Sequence, residues 1–195
     1  MRGFSLVELL VICAILVVIS GTILVSDTRF GGAMLLENLA YDMALSVRES
    51  QVFGVSVQRF STNTYSAGYG MHFDMTSPTT YLLFADVITA NGMYDCPTPG
   101  SSNCELYSST AISRGFTISD ICVTPNNGTE VCGHNRVDVF FQRPEPDAFL
   151  SVDGVSCTLQ SASCQQRARI QVKSPRGDFS SVIIDNNGQI FVQKI

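Results

Sequence analysis

The pattern opens on a long stretch with almost no polar interruption: Leu9 to Val25 carries no charge, and Phe4 to Val25 reads FSLVELLVICAILVVISGTILV. As a helix this segment is about 33 Å long, enough to cross a hydrocarbon core. A removable secretory signal has a shorter apolar core, a more basic front and small residues of the A-x-A kind at its end, of which Val18, Ser20 and Gly21 are a poor version. The pattern therefore predicts a transmembrane helix over residues 4–25. Ser26 to Gly32 follow as a short polar, glycine-containing break. Beyond it Leu36, Leu39, Ala40, Met43 and Val47 recur at helical spacing, with Glu37, Asp42, Arg48 and Glu49 elsewhere on the wheel. This predicts an amphipathic helix over about 33–53, stopped at Gly54, with Arg48 near its last turn.

From Val55 onward the period shifts towards two. β-Branched and aromatic runs predict strands at Val55 to Phe60, Tyr69 to Phe73, Thr80 to Phe84, Phe116 to Val123, Val137 to Gln142 and Ala168 to Lys173. A closing pair, Phe179 to Ile184 and Gln189 to Lys194, is joined by the turn Asp185-Asn186-Asn187-Gly188. The expected class is α+β: a long N-terminal helix, transmembrane then amphipathic, packed on antiparallel sheet. A chain of 195 residues has room for one core besides such an anchor, so residues 26–195 are expected to form one globular domain, β-rich over 55–195.

Composition changes this picture little. Charged residues make up 15% against 45% hydrophobic, which excludes a disordered chain. The net charge of -5 argues against broad phosphate-backbone binding. The local group Arg167, Arg169, Lys173 and Arg176 lies in an alternating strand and reads as a solvated face, so nucleic acid is not an expected partner.

Cysteine usage adds more. Cys13 lies in the apolar run, while Cys96, Cys104, Cys122, Cys132, Cys157 and Cys164 fall as three near-neighbour pairs in turn-rich stretches. This suits locally closed loops in an oxidising compartment, and proximity alone predicts Cys96 with Cys104, Cys122 with Cys132 and Cys157 with Cys164, leaving Cys13 free. A metal site is the weaker reading, because no C-x-x-C occurs and His72 and His134 have no partner at ligand spacing. No metal or other cofactor is expected.

Glu8 is the anomaly of the apolar run. A carboxylate inside a spanning helix costs a few kcal/mol and is taken as functional, although a position five residues after Gly3 also allows it to reach the interface. The run Gly3-Phe4-Ser5-Leu6-Val7-Glu8-Leu9-Leu10, followed by the apolar stretch, resembles the class III signal of type IV prepilins. That resemblance implies cleavage between Gly3 and Phe4, a leader of residues 1–3, N-methylation at Phe4, and an assembly role for Glu8. The new amine of Phe4 would lie at the membrane depth of the carboxylate on a neighbouring subunit, so that two buried charges pair only when helices pack in register. Many members of the family have a helix-kinking proline late in this segment, where this chain has Val25; Gly21 and Gly31-Gly32 are the expected sources of flexibility.

The stretch Ser46-Val47-Arg48-Glu49-Ser50-Gln51-Val52-Phe53-Gly54-Val55-Ser56-Val57 resembles the helix-to-first-strand junction of H-type pseudopilins and FimT-like minor pilins. Together the two likenesses imply a pilin-like fold and a structural subunit of a type IV pilus or a type II secretion pseudopilus. They imply as partners other pilin or pseudopilin subunits, a prepilin peptidase and an inner-membrane assembly platform. The expected location is a single pass of the inner membrane with the C-terminal domain outside the cytoplasm. The alternative is a membrane-tethered extracytoplasmic binding domain that never assembles and holds a ligand with the loops between Cys96 and Cys164. A tethered enzyme is a third reading, which would require a polar pocket with perturbed titratable groups.

Other candidate sites read as ordinary structure. Asp86 to Asp95 has acidic ends and an Asn-Gly turn, but Ile88 and Ala90 stand where a calcium loop needs oxygen side chains, so a turn is expected. Asn127-Gly128-Thr129 fits a glycosylation sequon and is likewise read as a turn. No G-x-S-x-G elbow, H-E-x-x-H or phosphate-cradling glycine loop occurs, and no enzymatic activity is expected.

Overall fold

The computed structural model describes residues 5–56 (25–31 by backbone only), 58–60, 68–97, 104–158 and 164–194. It divides into two units, Met1–Leu35 and Leu36–Ile195. The first is the start of a 50-residue helix, α1 (Leu6–Val55). Within it Leu6–Leu24 has a mean hydropathy of 2.7, is long enough to cross a membrane, and buries none of its side chains in the protein. Apolar groups exposed on every side fit a single-pass membrane protein, in which lipid covers them.

The break expected over residues 26–32 is instead helical, and α1 continues through Gly31 and Gly32. Two glycines cost about 1 kcal/mol each relative to alanine, but no proline removes a backbone donor there, so the hydrogen-bond ladder survives. The helix also runs past Phe53 to Val55, with Gly54 inside it rather than stopping it. Glycine is needed for space: a Cβ at Gly54 would lie 2.8 Å from the Cβ of Phe141. Arg48 is thus not in the last turn, and its guanidinium donates to Gln51 Oε1.

The second unit holds the remainder of α1 and ten strands. β1 (Gly68–Asp74), β2 (Thr80–Asp86), β3 (Leu106–Ala111), β6 (Arg136–Phe141) and β7 (Ala148–Val152) form one antiparallel sheet in the order β3-β2-β1-β6-β7. β4 (Thr117–Pro125), β5 (Val131–Cys132), β8 (Gln165–Lys173), β9 (Phe179–Asp185) and β10 (Ile190–Lys194) form a second, in the order β10-β9-β8-β4-β5. The class is α+β with two antiparallel sheets. The run expected as a strand at Val55 to Phe60 contains none among its described residues: Val55 ends the helix. Its aromatic residue is used differently, since Phe60 packs with Tyr107 at a ring separation of 6.5 Å.

One apolar core joins these elements. Leu36, Ala40, Met43 and Val47 line the buried stripe of α1 and meet Tyr69, Met71 and Phe73 of β1, Val137, Val139 and Phe141 of β6, and Ile170 and Val172 of β8. Gln51, also buried, donates to the carbonyls of Pro146 at 2.7 Å and Gly188 at 3.1 Å, which pins the helix end to the turn between β9 and β10. That turn, at Asn186 and Asn187, closes with the Gly188 N–H on the Asp185 carbonyl at 2.9 Å, and the φ of +80° at Gly188 suits a residue without Cβ.

Disulfides join Cys96 to Cys104, Cys122 to Cys132 and Cys157 to Cys164. Cys13 is an exposed free thiol on the apolar helix. The chain at Asn127-Gly128 is a turn, with the Gly128 N–H on the Pro125 carbonyl.

Candidate functional site

Strand alternation sends Met71 and Phe73 of β1 to the core and His72 and Asp74 to the opposite face. On that second face register places His72 beside Leu82 of β2 and Asp138 of β6. The face also carries Phe84 and Phe140, whose rings lie 6.5 Å apart. The segment from Val87 to Cys96 covers part of it, held by buried acceptors rather than by strand pairing.

Those acceptors are the least expected feature of the molecule. Glu105, fully buried, takes the N–H groups of Val87 (2.8 Å) and Ile88 (2.7 Å) on Oε1 and that of Asp95 (2.8 Å) on Oε2. Asp86 Oδ2 takes the Gly92 N–H at 2.8 Å, while its buried Oδ1 has no partner among the described residues. Ser151 Oγ donates to the Gly92 carbonyl and accepts the Cys157 N–H, tying the start of the Cys157–Cys164 loop to the Val87–Cys96 segment. Burial pushes the Asp86 carboxyl up to about 6; the Gly92 N–H opposes the shift, and the charges of Glu105 and Asp95 add to it. Burial also raises Glu105, against its three N–H donors. Asp86 to Asp95 is therefore a loop held by carboxylates that serve amides: Asp86 and Glu105 take backbone N–H groups, and Asp95 takes the side-chain amide of Asn91 at 2.9 Å. The three-donor group close enough to hold a metal among the described residues lies elsewhere, at Asp120, Cys122 and Cys132, and both of its sulfurs are in a disulfide.

At the edge of this covered face lies a cavity of about 390 Å³, lined by His72, Asp74, Ser77, Thr80, Leu82, Tyr94, Cys96 and Ser109. His72 is 7% exposed, and its Nδ1 lies 2.6 Å from Asp138 Oδ1. Asp138 is fully buried and saturated: Oδ1 also takes the Tyr94 N–H at 3.2 Å, and Oδ2 takes Arg136 Nε at 3.1 Å and Nη2 at 2.7 Å. The Tyr94 ring stands 5.0 Å from the imidazole. His72 Nε2 has Asp74 Oδ2 as its nearest charged neighbour, at 3.9 Å, beyond hydrogen-bond range. No hydroxyl among the described residues bonds to Nε2, so the imidazole has an orienting carboxylate without an aligned nucleophile.

The residues singled out in the sequence are distributed otherwise. Gly3 and Phe4, the expected cleavage and methylation point, lie outside the described residues. Glu8 sits in the first turn of α1, exposed and without a partner among the described residues. In the basic group Arg167 pairs with Asp185, Arg169 with Glu130 at 2.6 Å, and Lys173 lies over the Phe179 ring at 5.6 Å. Glu130 is held below the usual carboxylate range by its hydrogen bond from Arg169. No protein-family model, curated protein or solved structure matches the chain.

Proposed function

We propose that the chain is a minor pilin or pseudopilin, a structural subunit of a type IV pilus or type II secretion pseudopilus with a pilin-like fold. The observation that carries the reading is Glu8, the one charge within the otherwise apolar span Leu6–Leu24 of α1, exposed and without a partner among the described residues. A tether has no use for a carboxylate that costs about 3 kcal/mol in a membrane, whereas an assembling subunit acquires a partner for it, the amine of a neighbour's Phe4. Further support comes from Tyr41, Leu45 and Val52 of the same helix, which are 56%, 68% and 55% exposed and offer apolar contacts to neighbouring subunits.

The test compares Glu8→Leu and Gly3→Leu with the natural chain, by shearing filaments from cells and weighing the sheared fraction against the membrane fraction. Glu8→Leu should insert and be cut normally yet enter filaments poorly. Gly3→Leu should stay uncut in the membrane. Mass spectrometry of the mature N-terminus should find methylated Phe4. Normal incorporation of Glu8→Leu would remove the pairing mechanism, and an unprocessed natural chain would remove the family. The second reading, a tethered binding domain, is favoured by one observation, the cavity at His72.

A further inference from the structure

We propose that the cavity at His72 binds a small organic ligand through a primary ammonium group. The argument begins with the imidazole. Its Nδ1 faces a carboxylate that only accepts hydrogen bonds, so in the neutral ring the proton sits on Nδ1 and Nε2 keeps a lone pair. Arg136 and the Tyr94 N–H complete the coordination of Asp138, which fixes the ring in this orientation. The lone pair of a side chain 93% buried, by its 7% exposure, thus faces the cavity with no donor on it. Asp74 Oδ2 stands 3.9 Å away, a second acceptor, while Oδ1 is already occupied by the Thr76 N–H at 2.7 Å.

With the ring neutral, two acceptors converge on one place, and a donor between them answers both. The described lining contains no lysine or arginine, and its remaining donors are the hydroxyls of Ser77, Thr80, Tyr94 and Ser109. An ammonium group has three N–H donors and one positive charge. Its donors match a lone pair, a carboxylate oxygen and a hydroxyl, and its charge answers Asp74, the one carboxylate among the described lining residues. Leu82 and the Tyr94 ring supply the apolar and aromatic wall for the carbon stem. A bare metal ion fits less well: His72 and Asp74 are two ligands where zinc sites have three or four, and about 390 Å³ suits an organic molecule. A neutral sugar would leave the charge of Asp74 unanswered.

The proposal stands apart from filament assembly, which the Glu8 experiment tests through sheared filaments; here the readout is binding. The full chain in detergent micelles is titrated at mildly alkaline pH, where a histidine is ordinarily neutral, with n-butylammonium, glucose and Zn²⁺ in separate NMR series following the backbone amides. Butylammonium should shift the amides of His72, Asp74, Tyr94 and Ser109 saturably, and more tightly than glucose or Zn²⁺. Asp74→Asn, which keeps the Oδ1 acceptor for Thr76 and leaves the core untouched, should weaken the affinity by about ten- to a hundredfold, the range of a charge-assisted hydrogen bond. His72→Gln should weaken it as well. Absence of saturable shifts with butylammonium, equal or tighter binding of glucose or Zn²⁺, or unchanged affinity in a folded Asp74→Asn protein would each overturn the proposal.

Discussion

Replacing Asp86 by asparagine tests the energetics of the second face directly. The carboxyl is buried, keeps one oxygen without a partner, and has its pKa raised from 3.8 to about 6. A raised carboxyl means that the folded chain binds more protons than the unfolded one between these values, so stability falls as pH rises through the window. The shift is roughly two pH units, and at about 1.4 kcal/mol per unit the ionised form costs the fold about 3 kcal/mol above the window. Glu105 is displaced in the same direction, whereas Glu130 and Asp153 are displaced downward and their contributions are lost only at lower pH. The measurement is denaturant unfolding of the full chain in detergent micelles, wild type against Asp86→Asn at each pH, so that groups unaffected by the substitution cancel. Wild type should gain about 2 kcal/mol relative to the variant between about pH 8 and about pH 4. The slope is the readout, because the new amide N–H itself carries a desolvation cost of about 1 to 3 kcal/mol at every pH. A difference independent of pH, or one that favours wild type as pH rises, would refute the reasoning.

Two other outcomes follow from the same structure. Glu105→Ala removes the acceptor of three amides, so hydrogen exchange at Val87, Ile88 and Asp95 should accelerate about tenfold or more while the β8 and β9 amides keep their protection; uniform exchange across both sheets would contradict the anchoring role. Gly54→Ala should destabilise by about 1 to 3 kcal/mol in denaturant unfolding, despite alanine's higher helix propensity, because its Cβ meets the backbone of Phe141; a gain in stability would show that β6 yields freely.

Much of the architecture was legible from periodicity, because a half-buried strand or helix writes its burial into the spacing of apolar residues. The stripe from Leu36 to Val47 and β8, buried at Ala168, Ile170 and Val172, have that signature. β1, β6 and β9 are buried on both faces and are legible from their β-branched and aromatic runs instead. β3, LYSSTA, is exposed along its whole length and shows no alternation, and β7, AFLSV, is a five-residue run with a buried Ser151. The run at Val55 has the right composition for a strand, but α1 claims Val55 and Phe60 packs on Tyr107 instead. The cavity was illegible for a different reason. His72 has no near partner in sequence, because its partner Asp138 lies 66 residues away and is brought alongside by the pairing of β1 with β6. Glu105 gave a faint signal, a lone acidic residue beside a cysteine in a turn-rich stretch, but its three amide partners belong to a segment that precedes it by 10 to 18 residues.

The strand order also bears on how the domain forms. One sheet takes β1, β2, β3, β6 and β7 and the other takes β4, β5, β8, β9 and β10, so the chain passes repeatedly from one to the other. β1 waits for β6, with Met71 opposite Val139, and β4 waits for β8, with Cys122 opposite Arg169. Completing the first sheet means looping out β4 and β5, completing the second means looping out β6 and β7, and closing these long loops costs entropy before any contact offsets it. The domain should therefore fold more slowly than a chain of sequential hairpins. A chain shortened by its last hairpin would lose β9, the neighbour that flanks β8, and with it the means of closing the core over Ile170 and Val172.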